Sequence, residues 1–298
     1  MKAPLLILGA TTPIGLGVVQ AAIEGGRPVI AVSHDEAALA QLAGAYPSAD
    51  LQLLPASLKD DTGAAELARA LHDLDRPLGG VVAALCNGTE RGRLLDQPVA
   101  RLRETFDDIL VPHLAAARHL LPLLAESGRS GGYVLIDGPG GEHPWAGYSH
   151  RSVGAAALRM LARVLHDEAR VLPVRVQMLS VESPVRTDAN AAQACSQWPS
   201  AVSIGRRALA MIDRRDSEGA APLVHCSSGC SDSDAADAAH IATTPLAAAI
   251  RDATHGGTSK ADIADSLLTS RCLQDVRNLL DTFKFTVPRK EDSPHDQS

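Results

Sequence analysis

Aromatic residues are scarce in this chain: 3% of 298 positions, with three Phe, three Tyr and two Trp. Its core must therefore be filled by Ala, Leu and Val, and each ring that does occur stands out. Cysteine is scarce too. The five present (Cys86, Cys195, Cys226, Cys230 and Cys272) are an odd number scattered over the length, which argues against a disulfide framework. "HCSSGC" (225–230) brings two of them near a His but has no second ligand pair at a zinc spacing. It reads as a strand end and its turn, so no metal is expected. Positive charge is not in excess: a net charge of −7 gives no support for nucleic-acid binding or a polybasic membrane contact. Long apolar runs are missing as well. "PLLILGA" near the start is too short for a spanning helix and lacks the length and cleavage region of a signal peptide. The expectation is a cytoplasmic protein with no membrane contact.

What is present is an ordinary globular composition, 45% hydrophobic and 21% charged, in a chain long enough for one large domain with an appendage. Short apolar runs alternate with helical patterns. "PLLILGA" (4–10), "PVIAVS" (28–33), "LQLLPAS" (51–57), "GGVVAALC" (79–86), "GGYVLID" (131–137), "VRVQMLSV" (174–181) and "PLVHCSSG" read as strands. Between the first six lie helical stretches, the longest being "ARLRETFDDILVPHLAAARHLLPLLAES", where Pro112 marks a kink or a break. Strand–helix alternation at this spacing predicts right-handed crossovers and an α/β fold built on a doubly wound parallel sheet, a Rossmann-type architecture.

Ligands of such sheets lie at the carboxyl ends of the strands. The first end reads "LGATTPIGLG" (8–17). A strand running through a Gly-bearing turn into a helix aims backbone N–H groups and the positive helix end at a phosphate. Gly9 permits the tight turn, Gly15 permits close helix–strand packing, and Thr11 and Thr12 offer hydroxyls. Pro13 fits the first helical position, so an ordinary helix start is the competing reading.

In order and spacing, residues 1 to about 230 resemble a short-chain dehydrogenase/reductase. The family carries Gly-x-x-x-Gly-x-Gly after its first strand, and Gly9, Pro13 and Gly15 stand at those places. "PVIAVSHDEAAL", "HLLPLL" (119–124) and "SPVRT" (183–187) resemble further recurring segments. The resemblance implies a nicotinamide dinucleotide held by Gly9, Thr11, Thr12, Ile14, Gly15, Ser33, His34 and Thr187. NAD-binding members usually place an acid at the end of the second strand, where this chain has Ser33 and then His34, with Asp35 one place too far on. That points to NADP(H) rather than NAD(H), against the alternative that His34 is a solvated loop residue.

Departures from the family are as informative. Pro13 replaces the middle Gly and removes an N–H from the phosphate turn. Ala83, Ala84, Leu85 and Cys86 stand where Asn-Asn-Ala-Gly is usual, with Asn87 just beyond, and Ser57 stands where an Asp often contacts the adenine. The Asn of the fourth helix falls at Asp108 or Ile109, the Ser after the fifth strand at Gly138 beside Asp137, and Tyr-x-x-x-Lys reads Tyr148 and Ser152. Of the four catalytic groups, only Tyr148 remains. An ammonium that keeps a phenol ionised near neutral pH is worth roughly 4 kcal/mol. Its loss is ruinous for base-catalysed alcohol oxidation and less damaging for carbonyl reduction, where a neutral phenol donates its proton. Arg151 offers positive charge nearby but differs from Lys in shape and reach. His150 and His143 lack a supporting pattern.

Three readings follow. The chain binds nucleotide and acts through binding or assembly with its chemistry lost. Alternatively, it is an NADP(H)-dependent carbonyl reductase or alcohol dehydrogenase with an altered site, acting on a small carbonyl or alcohol. In the third, it is a scaffold that has lost the nucleotide as well. Beyond residue 230 an acidic small-residue linker (231–244) leads to a helical extension (245–285) and a charged tail (286–298) expected to be disordered. Ser259 and Asp262 resemble a capping box, and Leu273, Val276, Leu280 and Phe283 form an apolar stripe. The stripe suits docking on its own domain or on a twin subunit of a homo-oligomer, or else a protein partner.

Overall fold

The computed structural model describes residues 2–85, 91–127, 131–214 and 220–226. The expectations for Cys86 and Asn87, and for the linker, extension and tail at 231–298, lie outside the described residues.

Seven parallel strands form one sheet: β1 (Leu5–Leu8), β2 (Val29–Ser33), β3 (Leu51–Pro55), β4 (Gly80–Ala83), β5 (Gly131–Asp137), β6 (Val174–Val181) and β7 (Leu223–Cys226). Their spatial order is β3-β2-β1-β4-β5-β6-β7, so the order reverses between β1 and β4. Helices α1 (Pro13–Glu24), α2 (Glu36–Ala45), α3 (Asp61–Asp73), α4 (Val99–Glu126), α5 (Ser149–Glu168) and α6 (Ala201–Asp213) connect them. This is the expected doubly wound fold.

Burial on both faces explains why β1, β2, β4 and β5 read as largely apolar runs rather than alternating ones. Leu6 and Leu8 of β1, with Val81, Leu135 and Val176, face a core closed by α3, α4 and α5. Leu5 and Ile7, with Val82, Val134 and Leu179, face a second core closed by α1, α2 and α6. With so few rings, small side chains let the layers approach closely. A Cβ on Gly17 of α1 would lie 2.3 Å from Ala201, and one on Gly205 of α6 would lie 2.6 Å from the Gly17 carbonyl oxygen.

Two differences from the sequence reading matter. Pro112 neither breaks nor ends its helix: α4 runs for 28 residues through both Pro112 and Pro122. Each proline forfeits a backbone hydrogen bond, but buried residues on both sides of Pro112 (Ile109, His113, Ala116, Ala117 and Leu120) pin the helix to the sheet. Helix α6 has no counterpart in the sequence reading, although Ser200 caps it by accepting from the Ser203 amide at 3.1 Å.

Candidate functional site

A cleft of about 360 Å³ opens at the carboxyl ends of the strands, beside the point where the strand order reverses. The β1–α1 turn, the ends of β2 and β3, the middle of α4 and the start of α5 form its walls.

The turn is built by three contacts. Gly9 has φ 72°, and a Cβ there would lie 2.4 Å from the Ala84 carbonyl oxygen, so only glycine fits. Gly15 packs even closer, with its hypothetical Cβ 1.9 Å from the Gly9 oxygen. The Thr12 hydroxyl accepts from the Gly15 amide at 2.9 Å and donates to the Ala84 carbonyl at 3.0 Å. It is therefore engaged in capping α1 and tying the turn to the end of β4. At the start of α1, Pro13 has no N–H and that of Gly15 is taken, so of these three positions only Ile14 keeps an N–H outside the cap. The residues present fit a phosphate at this turn, with two donors fewer than three open amides would supply.

Beside it, the Thr11 and Ser33 hydroxyls share a 2.6 Å hydrogen bond, and Ser33 Oγ also accepts from the Asp35 amide at 3.1 Å. Both line the cleft with exposed His34. Asp35 does not. Its carboxylate caps α2 by accepting from the Ala38 amide at 2.9 Å, which gives that acid a structural duty. Ser57, Lys59 and Asp108 line the opposite wall, and Ile109 is a buried part of it.

The positions that resemble the family's catalytic set are rebuilt. Asp137, at the end of β5, forms an ion pair with Arg151 of α5, and both are under a tenth exposed. A Cβ on Gly138 would sit 3.2 Å from Arg151 Nη2, so the guanidinium crowds the space that a side chain at 138 would enter. His113 of α4 is wholly buried. Burial first, then the Arg151 charge, pushes its pKa down to about 3, and its ring is neutral at ordinary pH. Ser152 is buried and bound on both sides: its hydroxyl accepts from the Trp145 amide at 2.8 Å and donates to the Tyr148 carbonyl at 3.1 Å.

Tyr148 caps the start of α5 and is half-buried. Trp145 stacks on its ring, with centroids 4.1 Å apart. Arg91 Nε donates to its hydroxyl at 2.8 Å, and the guanidinium carbon lies 5.6 Å from the ring centroid. Backbone pairing holds the two segments together: the Gly92 amide donates to Gly147 O at 2.9 Å, and the Ser149 amide to Gly92 O at 3.3 Å. Arg91, His150 and Arg151 line the cleft, whereas Tyr148 meets it through Arg91. Sequence reasoning missed Arg91, which no motif marks.

Thr187 lies beyond β6 and caps a short 3-10 turn, its hydroxyl accepting from the Asn190 amide while the Asn190 side chain accepts from the Thr187 amide at 2.8 Å. Thr187, Ile14 and Gly15 are not among the residues that line the cleft. At the edge of the sheet, His225 Nδ1 is 2.9 Å from Glu182 and 4.0 Å from Glu142. Arg159 reaches both acids at 3.4 and 3.5 Å, which joins the three residues to it in an ion-pair network. Among the described residues no helix is long and apolar enough to cross a membrane.

Comparison with known proteins agrees with this architecture. The family profile described as enoyl-(acyl carrier protein) reductase matches residues 9–209. No curated protein matches the chain. Among solved structures, a short-chain type dehydrogenase/reductase from Mycobacterium ulcerans superposes with a TM-score of 0.70 at 17% identity, over 77% of this chain and 90% of that one. The NADPH-bound short-chain oxidoreductase from Pseudomonas aeruginosa PAO1, described as containing an atypical catalytic center, gives 0.67 at 17% identity, over 78% and 97%. ElxO with NADP bound gives 0.69 at 11% identity, over 77% and 99%. At such identities the likeness is one of fold.

Proposed function

Because the chain belongs to the short-chain dehydrogenase/reductase family, we propose that it binds NADP(H) in the cleft and reduces a small carbonyl compound, with Tyr148 as the proton donor. The observation that carries this reading is the hydrogen bond from Arg91 Nε to the Tyr148 hydroxyl. It gives the surviving catalytic group a cationic partner that the sequence pattern had removed. The bound dinucleotide supplies the hydride. Ile14 offers its N–H to a phosphate, the open backbone at Gly9 lets the nucleotide approach, and Ser33 with His34 faces the ribose. The NADP- and NADPH-bound structural relatives support a nicotinamide nucleotide in the cleft. Reduction is the direction proposed because a neutral phenol can donate its proton directly to the developing alkoxide.

A second reading, nucleotide binding or assembly without chemistry, is favoured by the two-sided engagement of Ser152 and by the crowding at Gly138. The scaffold reading is tested by the same first step. NADPH and NADH are titrated against the protein by fluorescence: saturable binding is expected, and no binding of either at millimolar concentration overturns both nucleotide readings. A carbonyl panel with NADPH then separates reduction from binding alone. Turnover that falls at least ~100-fold in Tyr148→Phe supports the reductase; turnover unchanged by that substitution removes Tyr148 from the chemistry. A cytoplasmic homo-oligomer is part of the proposal. Val111 and Leu114 on α4 and Met160 and Val164 on α5 are exposed and apolar, and mass in solution tests it.

A further inference from the structure

We infer that Arg91 is the positioning residue of this site: it aims the Tyr148 hydroxyl and takes up the charge left on its oxygen when the proton departs. This rests on the carbonyl-reduction reading above.

A guanidinium only donates hydrogen bonds, so in the 2.8 Å contact the Tyr148 oxygen is the acceptor. The phenol's own proton is thereby turned away from Arg91 and left for another acceptor. Trp145 covers the ring by stacking, which fixes the plane in which that proton can point. Arg91 is itself held in place, because Gly92 pairs through its backbone with Gly147 and Ser149 on either side of Tyr148. The side chain is thus carried by a short stretch of parallel pairing and lines the cleft.

The step balances as follows. The hydride brings two electrons to the carbonyl carbon, and the C=O π pair moves to oxygen. That oxygen takes the proton of Tyr148 as the O–H bond breaks, and its electron pair stays on the phenol oxygen as phenolate. The phenolate faces the Arg91 Nε–H, where a neutral acceptor becomes a charged one and the hydrogen bond strengthens. Solvent returns the proton, and the nucleotide leaves oxidised. Ser152 cannot take this part, because its hydroxyl is committed to Trp145 and to the Tyr148 backbone.

The test is steady-state kinetics of full-length protein with NADPH and the best carbonyl of the panel. Arg91→Gln is expected to lower kcat roughly 10- to 100-fold, with NADPH affinity changed less than about twofold and thermal midpoint unchanged. Arg91→Lys recovers part of the rate, since the charge and N–H donors remain while the planar fork is lost. In Arg91→Ala, millimolar guanidinium raises kcat saturably, while sodium chloride at equal ionic strength does not. Full activity in Arg91→Gln overturns the inference and leaves the reductase reading standing. A loss confined to NADPH affinity, or no rescue by guanidinium, overturns it too. If the wild-type protein turns over no carbonyl while binding NADPH, the reductase reading fails, and the inference fails with it.

Discussion

Arg151 and Asp137 form an ion pair in the protein interior, at the wall of the cleft and at the end of strand β5. Neither residue is more than a tenth exposed.

Asp137→Asn should cost about 3–5 kcal/mol of folding stability, because it removes the carboxylate of a buried ion pair. Replacing both, as Asp137→Leu with Arg151→Met, should cost less than the two single changes added together. Urea denaturation of the four proteins measures the coupling.

His113 supplies a pH dependence. Its ring binds a proton near 6.5 in the unfolded chain but only near pH 3 in the folded one, so the unfolded state holds more protons between those values. Stability from this group is complete above about pH 6.5 and is lost progressively as pH falls toward 3. The expected loss is about 2 kcal/mol between pH 6.5 and pH 5. In His113→Gln that part of the slope disappears, as denaturation at the two pH values would show.

Asp35 and His34 separate structure from selectivity. Asp35→Ala should remove about 1 kcal/mol through loss of the α2 cap and leave the ratio of NADPH to NADH affinity unchanged. His34→Asp should move that ratio toward NADH by about tenfold, or ~1.4 kcal/mol, with stability little altered. Fluorescence titration of both variants with both nucleotides checks the pair.

Restoring the family pattern at 152 should fail. Ser152→Lys removes the hydroxyl that joins the Trp145 amide to the Tyr148 carbonyl, and places an ammonium where the residue is 7% exposed. The expected outcome is roughly 1–3 kcal/mol of lost stability and no gain in NADPH-dependent turnover. A rate increase would show that the site still has room for the lysine.

The sequence made the sheet legible because every central strand is buried on both faces. β5 and β6 fall where "GGYVLID" and "VRVQMLSV" predict: the first is a nearly continuous apolar run, and the second alternates Val and Met with Arg175 and Gln177 at the strand period. The continuity of α4 was hidden, because what overrides Pro112 is packing against the sheet rather than any local signal. Helix α6 was hidden for a related reason. Its buried set (Ile204, Gly205, Ala208, Met211 and Ile212) mixes small with large residues, which pack partly on α1 and partly on β4 and β5.

Within the site, Gly9, Thr11, Ser33 and His34 were legible because the strand–turn–helix that carries them is contiguous. Tyr148 stood out through the spacing of its neighbours. Arg91 lies 57 residues away from Tyr148, in a loop without pattern, and only the pairing of Gly92 with 147–149 brings them together. The Asp137–Arg151 pair spans 14 residues across a loop, and neither residue alone announces a buried charge.

The contact between Gly17 and Gly205 also constrains the order in which the molecule can be completed. Helix α1 precedes α6 by nearly 190 positions, yet the surface that covers its small-residue face belongs to α6. Until α6 has been made and has docked, that face stays bare. The close approach of the two helices is therefore a late, long-range step in completing the fold.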